Sequence, residues 1–306
     1  MILQTLRFAK LTKGKSLFLC CIAYACAGIG ACAVGLQFSP AHPVIMAAAA
    51  DAAATFVVFL FSVILDNSSV YDPYWSVAPI GILLFYDLQS GVFLAMRQVI
   101  VAALVCFWAL RLTLNWLLRW QGLGDEDWRY ADFRPNRAYW ALSFAGFHFF
   151  PTAAVFCGCL PLVPVFLCAT HAFGAIDAAA AAVAFGSILI EMRADKELRM
   201  FRSKLRKQGE LLTNGIWSRC RHPNYFGEVA FWWGMGLFGI AADPAYWWTM
   251  SGAAVITALF LFISLPMMDK HMLKHYPSYR ERMESVPAFI PFFHRKKKGG
   301  DRFFRH

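Results

Sequence analysis

Charged residues are scarce in this 306-residue chain: they make up 16% of it, against about 25% in an ordinary soluble domain. That shortage excludes a disordered or nucleic-acid-coating chain, although the net charge is +10. The sequence has no Cys-x-x-Cys pair. Its closest approach, Cys157-x-Cys159, has the wrong spacing for a metal site and lacks a second pair. No polar stretch is long enough to fold as a separate soluble domain, and no internal repeat goes beyond alanine runs such as Ala178–Ala182. Those runs suit helices that approach closely in a membrane. What the chain has in excess is apolar: 59% of its residues, with 29 Phe and 11 Trp. Polar side chains cannot cover so much apolar surface, so lipid must. The expected fold is all-α, a polytopic membrane helical bundle forming one integral membrane domain over 1–306.

A helix needs about 20 apolar residues to cross the hydrocarbon. Eight stretches qualify: Leu17–Gln37, Val44–Leu65, Ser76–Ala95, Gln98–Leu118, Ala138–Leu160, Gly174–Met192, Tyr225–Ala241 and Trp248–Met268. The third is interrupted by Pro79, Asp87 and Gly91, and the fifth carries Pro151, which a membrane helix tolerates as a kink. Leu17–Gln37 is longer than the core of a signal peptide and reads as an anchor. With the N-terminus inside, 27 of the 29 Lys and Arg fall on cytosolic segments, which gives eight spans with both termini cytosolic. Arg111 lies within a span, and Arg97 is the one outward exception. Eight of the nine cysteines sit in or beside spans as small hydrophobes, and Cys220 faces the reducing side. The basic tail at 293–306, with Lys296, Lys297 and Lys298, is expected against anionic headgroups.

Ionisable residues inside spans are costly and point to pairing or function. Asp51, among alanines, is expected near enough to a membrane face to reach water. Arg111 and Asn115 are four apart, hence on one helical face, and suit a polar pocket or a snorkelling arginine. The connector Asp66-Asn-Ser-Ser-Val-Tyr-Asp-Pro-Tyr-Trp75 has no basic residue. Asp66, Asn67 and Ser68 are good N-cap types. Tyr71, Asp72 and Tyr74 at a bundle mouth offer two phenols and a carboxyl that can hold and protonate a substrate carbonyl, or serve as interfacial belt. Further on, Glu191, Asp195, Arg199, Arg202 and Arg206 recur at helical steps on one face. That face reads either as a salt-bridge ladder or as guanidinium groups for a phosphate-rich cofactor. Arg221, His222, Asn224, Tyr225 and Glu228 crowd the start of the next helix, with Pro223 suited to its first turn.

The run Arg221-His-Pro-Asn-Tyr-Phe-Gly-Glu228 resembles the hallmark of the steroid 5-alpha-reductase-like family of membrane reductases. Asn67–Val77, Arg111-Leu-Thr-Leu-Asn115, Ala194-Asp-Lys-Glu-Leu-Arg199, Tyr276-Pro and Ala288-Phe-Ile-Pro291 resemble segments of a less-characterised branch, and together they cover residues 60–292. The resemblance implies a bundle open to the cytosol in which NADPH reduces a carbon–carbon double bond conjugated to a carbonyl. The substrate would be lipophilic: a sterol, a polyprenoid or an enoyl lipid. It also implies that Asp195, Arg199, Arg202 and Asn224 hold the dinucleotide, with Arg221, His222, Tyr225 and Glu228 beside them. No Gly-x-Gly-x-x-Gly run occurs, and reductases of this type do not use a Rossmann fold. The Gln-Glu pair that polarises the carbonyl in steroid reductases has no clear counterpart here. The polar clustering at the cytosolic mouth assigns the acid role to Tyr71 or Tyr74, supported by Asp72, with Arg111 adding positive potential.

The rival is an isoprenylcysteine carboxyl methyltransferase-like enzyme, which shares an Arg-His-Pro-x-Tyr-x-Gly run but binds S-adenosylmethionine. Asn224, Glu228 and the Asp195/Arg199/Arg202 face favour the reductase, since a methyltransferase needs no set of phosphate-binding arginines. A transporter is disfavoured because the polar groups gather at one mouth, not at the midplane. The expected partners are a lipophilic small molecule and membrane lipids, with no nucleic acid and no obligate protein partner. An endoplasmic-reticulum location follows from the resemblance alone.

Overall fold

The computed structural model describes residues 11–38, 41–91, 95–203 and 209–291. Arg206 and the basic tail, with Lys296, Lys297 and Lys298, lie outside the described residues. The described residues form helices and no strand. The long helices are α1 (Lys13–Gln37), α2 (Pro43–Ile64), α3 (Tyr74–Ser90), α4 (Met96–Arg119), α5 (Tyr139–Cys159), α6 (Ala175–Ser203), α7 (Pro223–Ala242) and α8 (Pro244–His275), followed by a short α9 (Tyr279–Ser285). Six of these, α1, α2, α4, α5, α6 and α8, are long and apolar enough to cross a membrane. The third and seventh expected stretches form α3, which has only 17 residues, and α7, which falls outside that set although it has 20. The chain is therefore an integral multi-pass membrane protein. Phe18, Ile29, Leu88 and Phe262 are each two-thirds or more exposed, as side chains that face lipid should be.

Local chemistry sets the helix ends. Thr12 caps α1 by accepting from the Lys15 amide, and His42 does the same for Val44 ahead of Pro43 at the start of α2. α3 ends at Gly91, whose φ of 60° is the left-handed conformation that glycine adopts without cost. Pro151 and Pro266 have a shared consequence. Each follows by two residues the end of a π-helical stretch, Ser143–Phe149 in α5 and Phe260–Ser264 in α8. A proline cannot donate and collides with the carbonyl four residues back, so the preceding turn widens to π geometry. The expected kink in α5 thus takes the form of a π segment.

Two cores hold the bundle. One joins α1 and α2 to the 65–74 connector through Ala23, Ala27, Val58, Val70, Tyr71 and Tyr74. The other fills the space among α3 to α8 around Trp108, Phe231, Trp232 and Ile188. Its closest seam is α6 against α7. Ala180 and Ala184 are fully buried there, and a Cβ at Gly234 would stand 2.9 Å from that of Ala184. The alanine run of α6 is thus a packing surface.

Ion pairs tie α4 to α6 at two levels. Arg97 meets Asp177 with both carboxylate oxygens engaged, at 2.6 and 2.9 Å. Fourteen residues along each helix, Arg111 meets Glu191. Equal spacing on both strands of the pairing means that α4 and α6 run parallel, in register over roughly 21 Å. Arg97, unpaired by sequence position alone, is 4% exposed and also donates to the carbonyls of His171, Ala172 and Ala241. Its charge is neutralised within the fold.

Candidate functional site

Three helices converge on a buried polar lattice. From α4, Arg111 donates to Glu191 and, over 3.0 Å, to Oδ2 of Asp195 on α6. Asn115, one turn beyond Arg111, donates to the same Asp195 oxygen at 3.0 Å and accepts from Arg199 at 2.8 Å. The two faces read separately from the sequence, Arg111/Asn115 and Glu191/Asp195/Arg199, therefore pair with each other. The ladder expected along α6 runs instead across to α4. Arg202 lies exposed at the end of α6.

The third helix, α7, enters at Gly227. There is no room for a Cβ at that position because the Glu191 side chain and the Ser187 carbonyl press against it. Glu228 follows, 4% exposed, with each carboxylate oxygen held by an indole: Trp108 at 3.0 Å and Trp232 at 2.8 Å. Trp108 is itself stacked on Phe231, with ring centroids 4.9 Å apart and planes 3° from parallel. Glu228 is thus the hub of an aromatic cage. Sequence reasoning missed both tryptophans, because tryptophan in a membrane chain reads as apolar bulk.

Buried polar atoms are almost always satisfied. Among the described residues four buried side-chain atoms lack a hydrogen-bond partner, and three belong here: Arg111 Nε, Glu191 Oε1 and Asn224 Oδ1. Asn224 opens α7 beside Tyr225, whose ring stacks on His222 at 5.2 Å and meets Phe260 edge-on at 4.9 Å. The lattice gathers Glu191, Asp195 and Glu228 around Arg111, so its buried part is richer in acceptors than in cations. The cations, Arg199, Arg202 and Arg119, stand at the ends of α4 and α6.

Arg221 and His222 do a different job. Arg221 donates to Asp269 at 2.5 Å, to Tyr279 at 3.1 Å and to the Val286 carbonyl. The backbone amides of Arg221 and His222 donate to the carbonyls of Pro287 and Ala288. His222 Nε2 lies 2.9 Å from Asp269, which also accepts from Tyr279 at 2.5 Å. Burial pushes the His222 imidazole below its ordinary value and the Tyr279 phenol above its own. These contacts clasp the segment after α8 onto the start of α7. Asp269 and Tyr279 were not singled out from the sequence.

The connector 66–75 separates rather than unites its candidates. A 3-10 turn at Ser68–Val70, capped by Asn67 through the Ser69 amide, reverses the chain. Tyr71 and Tyr74 then face inward, 2% and 5% exposed, while Asp72 faces the 119–137 loop. Tyr71 shares a hydrogen bond with Thr152 at 2.8 Å. Tyr74 donates to Oδ1 of Asp51 at 2.8 Å. Asp51 does not reach water as expected: it is the ninth residue of α2 and 7% exposed, and one turn on Thr55 donates to Thr152 of α5, which packs against this part of α2. Asp72 instead accepts from Tyr130 at 2.5 Å with Arg129 3.6 Å away. Burial pushes the Asp72 carboxyl up to about 6 against the pull of Arg129. Tyr71, Asp72, Tyr74 and Arg111 are therefore distributed over three networks.

The match of a family model, described as Protein of unknown function (DUF1295), runs over residues 58–286. It takes in every side chain of the lattice and the clasp, and leaves Asp51, Pro287 and Ala288 outside. No curated protein and no solved structure matches the chain.

Proposed function

The chain belongs to the DUF1295 family, whose match covers most of its length, and we propose that it is a membrane oxidoreductase that uses NADPH to reduce a carbon–carbon double bond conjugated to a carbonyl in a lipophilic substrate. The observation that carries this reading is the lattice of α4, α6 and α7. Three buried polar atoms without partners sit among the residues that resemble the cofactor segments of steroid 5-alpha-reductase-like enzymes. A ligand with hydroxyl and amide groups would satisfy them.

The donor set fits NADPH in two parts. Glu191, Asp195 and Asn224 offer acceptors for ribose hydroxyls and for a carboxamide N–H. Arg199 and Arg202, with Arg119 beside them, offer guanidinium groups for phosphates at the rim. When bound, NADPH supplies a hydride to the β-carbon. The protein's remaining task is to hold a proton for the substrate oxygen and to keep water out.

Of the two phenols, Tyr74 suits that task better. Its hydroxyl is already paired with a carboxyl group, that of Asp51, whereas Tyr71 is paired with a threonine. In this reading Tyr74 donates the proton from its phenol oxygen to the carbonyl oxygen, and Asp51 orients the phenol and restores its proton. The apolar surroundings, with Tyr24 edge-on to Tyr74 at 5.9 Å and Val58 in the same core, exclude water from the pair. The test is turnover: purified protein should consume NADPH when given α,β-unsaturated carbonyl lipids. Lipids from a deletion strain should contain an unsaturated precursor in excess. Absence of both, with NADPH bound, would refute the reductase reading.

A further inference from the structure

Several indoles in the chain donate to protein acceptors. Trp108 and Trp232 reach Glu228, Trp120 the Asp125 carbonyl, Trp217 the Ala194 carbonyl and Trp233 the Thr257 hydroxyl. Trp116 differs. Its Nε1 is the fourth buried side-chain atom without a hydrogen-bond partner among the described residues, and it lies outside the lattice. A buried indole usually satisfies its N–H, so a buried donor with no protein acceptor marks a contact that a ligand completes.

The ring is held where it stands. It stacks on Trp120 with centroids 4.7 Å apart and planes 24° from parallel, and Trp120 is itself 4% exposed. The neighbours on α4 serve the lattice: Asn115 donates to Asp195, and Arg119 donates to the Asn115 carbonyl. Trp116 packs instead against the core that holds Tyr71 and Tyr74. Its depth follows from the register of α3 and α4. Thr113 and Ser76 share a hydrogen bond at 3.0 Å, and α3 ends at Ser90 shortly before α4 begins at Met96, so the two helices run antiparallel. Trp116 is three residues on from Thr113, and Tyr74 two residues back from Ser76, which puts the two about level. Beside them Trp75 packs on both cores and meets Trp108, a partner of Glu228, edge-on at 6.0 Å. The indole thus stands between the candidate acid and the helix that carries the lattice.

We propose that Trp116 is a substrate-binding residue whose indole N–H donates to the carbonyl oxygen of the lipophilic substrate. The identity of that substrate rests on the reductase reading; the contact itself rests on the unpaired indole. The surroundings select the acceptor. The core on this side, with Val58, Val70 and Leu123, is apolar, so a phosphate set into it would lose its hydration without compensation. A hydroxyl would bring a hydrogen that needs an acceptor in turn. A carbonyl oxygen needs only donors. Indole donates a hydrogen bond and keeps its proton, so Trp116 holds and polarises the oxygen while the phenol of Tyr74 supplies the proton.

The test measures binding to the purified full chain in detergent. The probes are trans-3-octadecen-2-one, its saturated counterpart octadecan-2-one, and octadecane, which has no oxygen. Wild-type protein should bind both ketones and show no saturable binding of octadecane. Trp116→Phe keeps an aromatic ring and removes the donor, and should weaken ketone binding about tenfold while leaving NADPH affinity in place. Replacement of Trp116 by 3-benzothienylalanine, which keeps the shape of indole without its N–H, should give the same loss and serves if Trp116→Phe does not fold. Ketone affinity equal to wild type in the folded variant would overturn the proposal. So would a wild type that binds neither ketone, or a loss confined to NADPH, which assigns the indole to the cofactor. Failure of the reductase reading has a different signature: NADPH is neither bound nor consumed, while ketone binding still depends on the indole and the contact stands.

Discussion

Asn115 and Asp195 meet across α4 and α6 at 3.0 Å, and the same Asn115 amide accepts from Arg199. One neutral side chain thus joins the carboxylate that pairs with Arg111 to the guanidinium nearest the rim. Replacing it with leucine keeps the volume and removes both links. A hydrogen bond to a charged group contributes about 1.5–3 kcal/mol. Asn115→Leu should therefore lower the melting temperature in detergent by several degrees and weaken NADPH binding at least about tenfold. Titration of the purified variant with NADPH checks this. Undiminished affinity would remove Asn115 from the binding surface.

The clasp at Asp269 should behave as a buried ion pair. Asp269→Asn leaves the Arg221 guanidinium, only 8% exposed, without its counter-charge, at an expected loss of about 3–5 kcal/mol. Arg221→Gln should cost a similar amount. The double variant should be less damaged than the sum of the two, because neither charge is then stranded. Thermal melts of the three variants measure the coupling, and strict additivity would mean that the pair does not act as a unit.

Asp72 gives a pH dependence of known sign. Burial raises its folded-state value from 3.8 to about 6, so ionisation is costlier in the folded chain than in the unfolded one. The corresponding stability is fully present below about pH 4 and is lost as pH rises through about 6. Melting temperature should show a component that falls over that window, and Asp72→Asn should remove it. A window unaltered by the substitution would assign the component to another group.

Tyr74 and Tyr71 separate by their partners. Tyr74→Phe should reduce turnover by about 10²–10⁴-fold, the usual contribution of a general acid, while leaving NADPH affinity in place. Tyr71→Phe removes only a link to Thr152 and should have a much smaller effect. Asp51→Asn should act in the direction of Tyr74→Phe. Equal losses at both tyrosines would contradict the choice between them.

Much of this architecture is legible in the sequence because it depends on short-range chemistry. Apolar length and Pro223 mark the helices close to where they form. The 3.6-residue period puts Arg111 with Asn115 and Glu191 with Asp195. That these two faces meet is a long-range fact that no period reports. A signal for it was nonetheless present: Arg97 and Arg111 are fourteen residues apart, as are Asp177 and Glu191, which is what parallel paired helices require. Asp51 is misplaced from sequence because the alanines on either side, Ala47–Ala50 and Ala52–Ala54, look alike, and depth in a bundle depends on the helices that close around it. Asp269 and Tyr279 gain their role only when the chain after α8 returns to α7.

The central claim is that the lattice of α4, α6 and α7 receives a phosphate-bearing dinucleotide. Comparing thermal stabilisation of the purified protein by NADPH and by S-adenosylmethionine tests it most directly. A ligand at 100 times its dissociation constant stabilises by about 2.7 kcal/mol, enough for a shift of several degrees. NADPH should raise the melting temperature, the shift should be lost in Arg199→Ala, and S-adenosylmethionine should have no effect. A shift with S-adenosylmethionine and none with NADPH would contradict the reductase and favour methyl transfer.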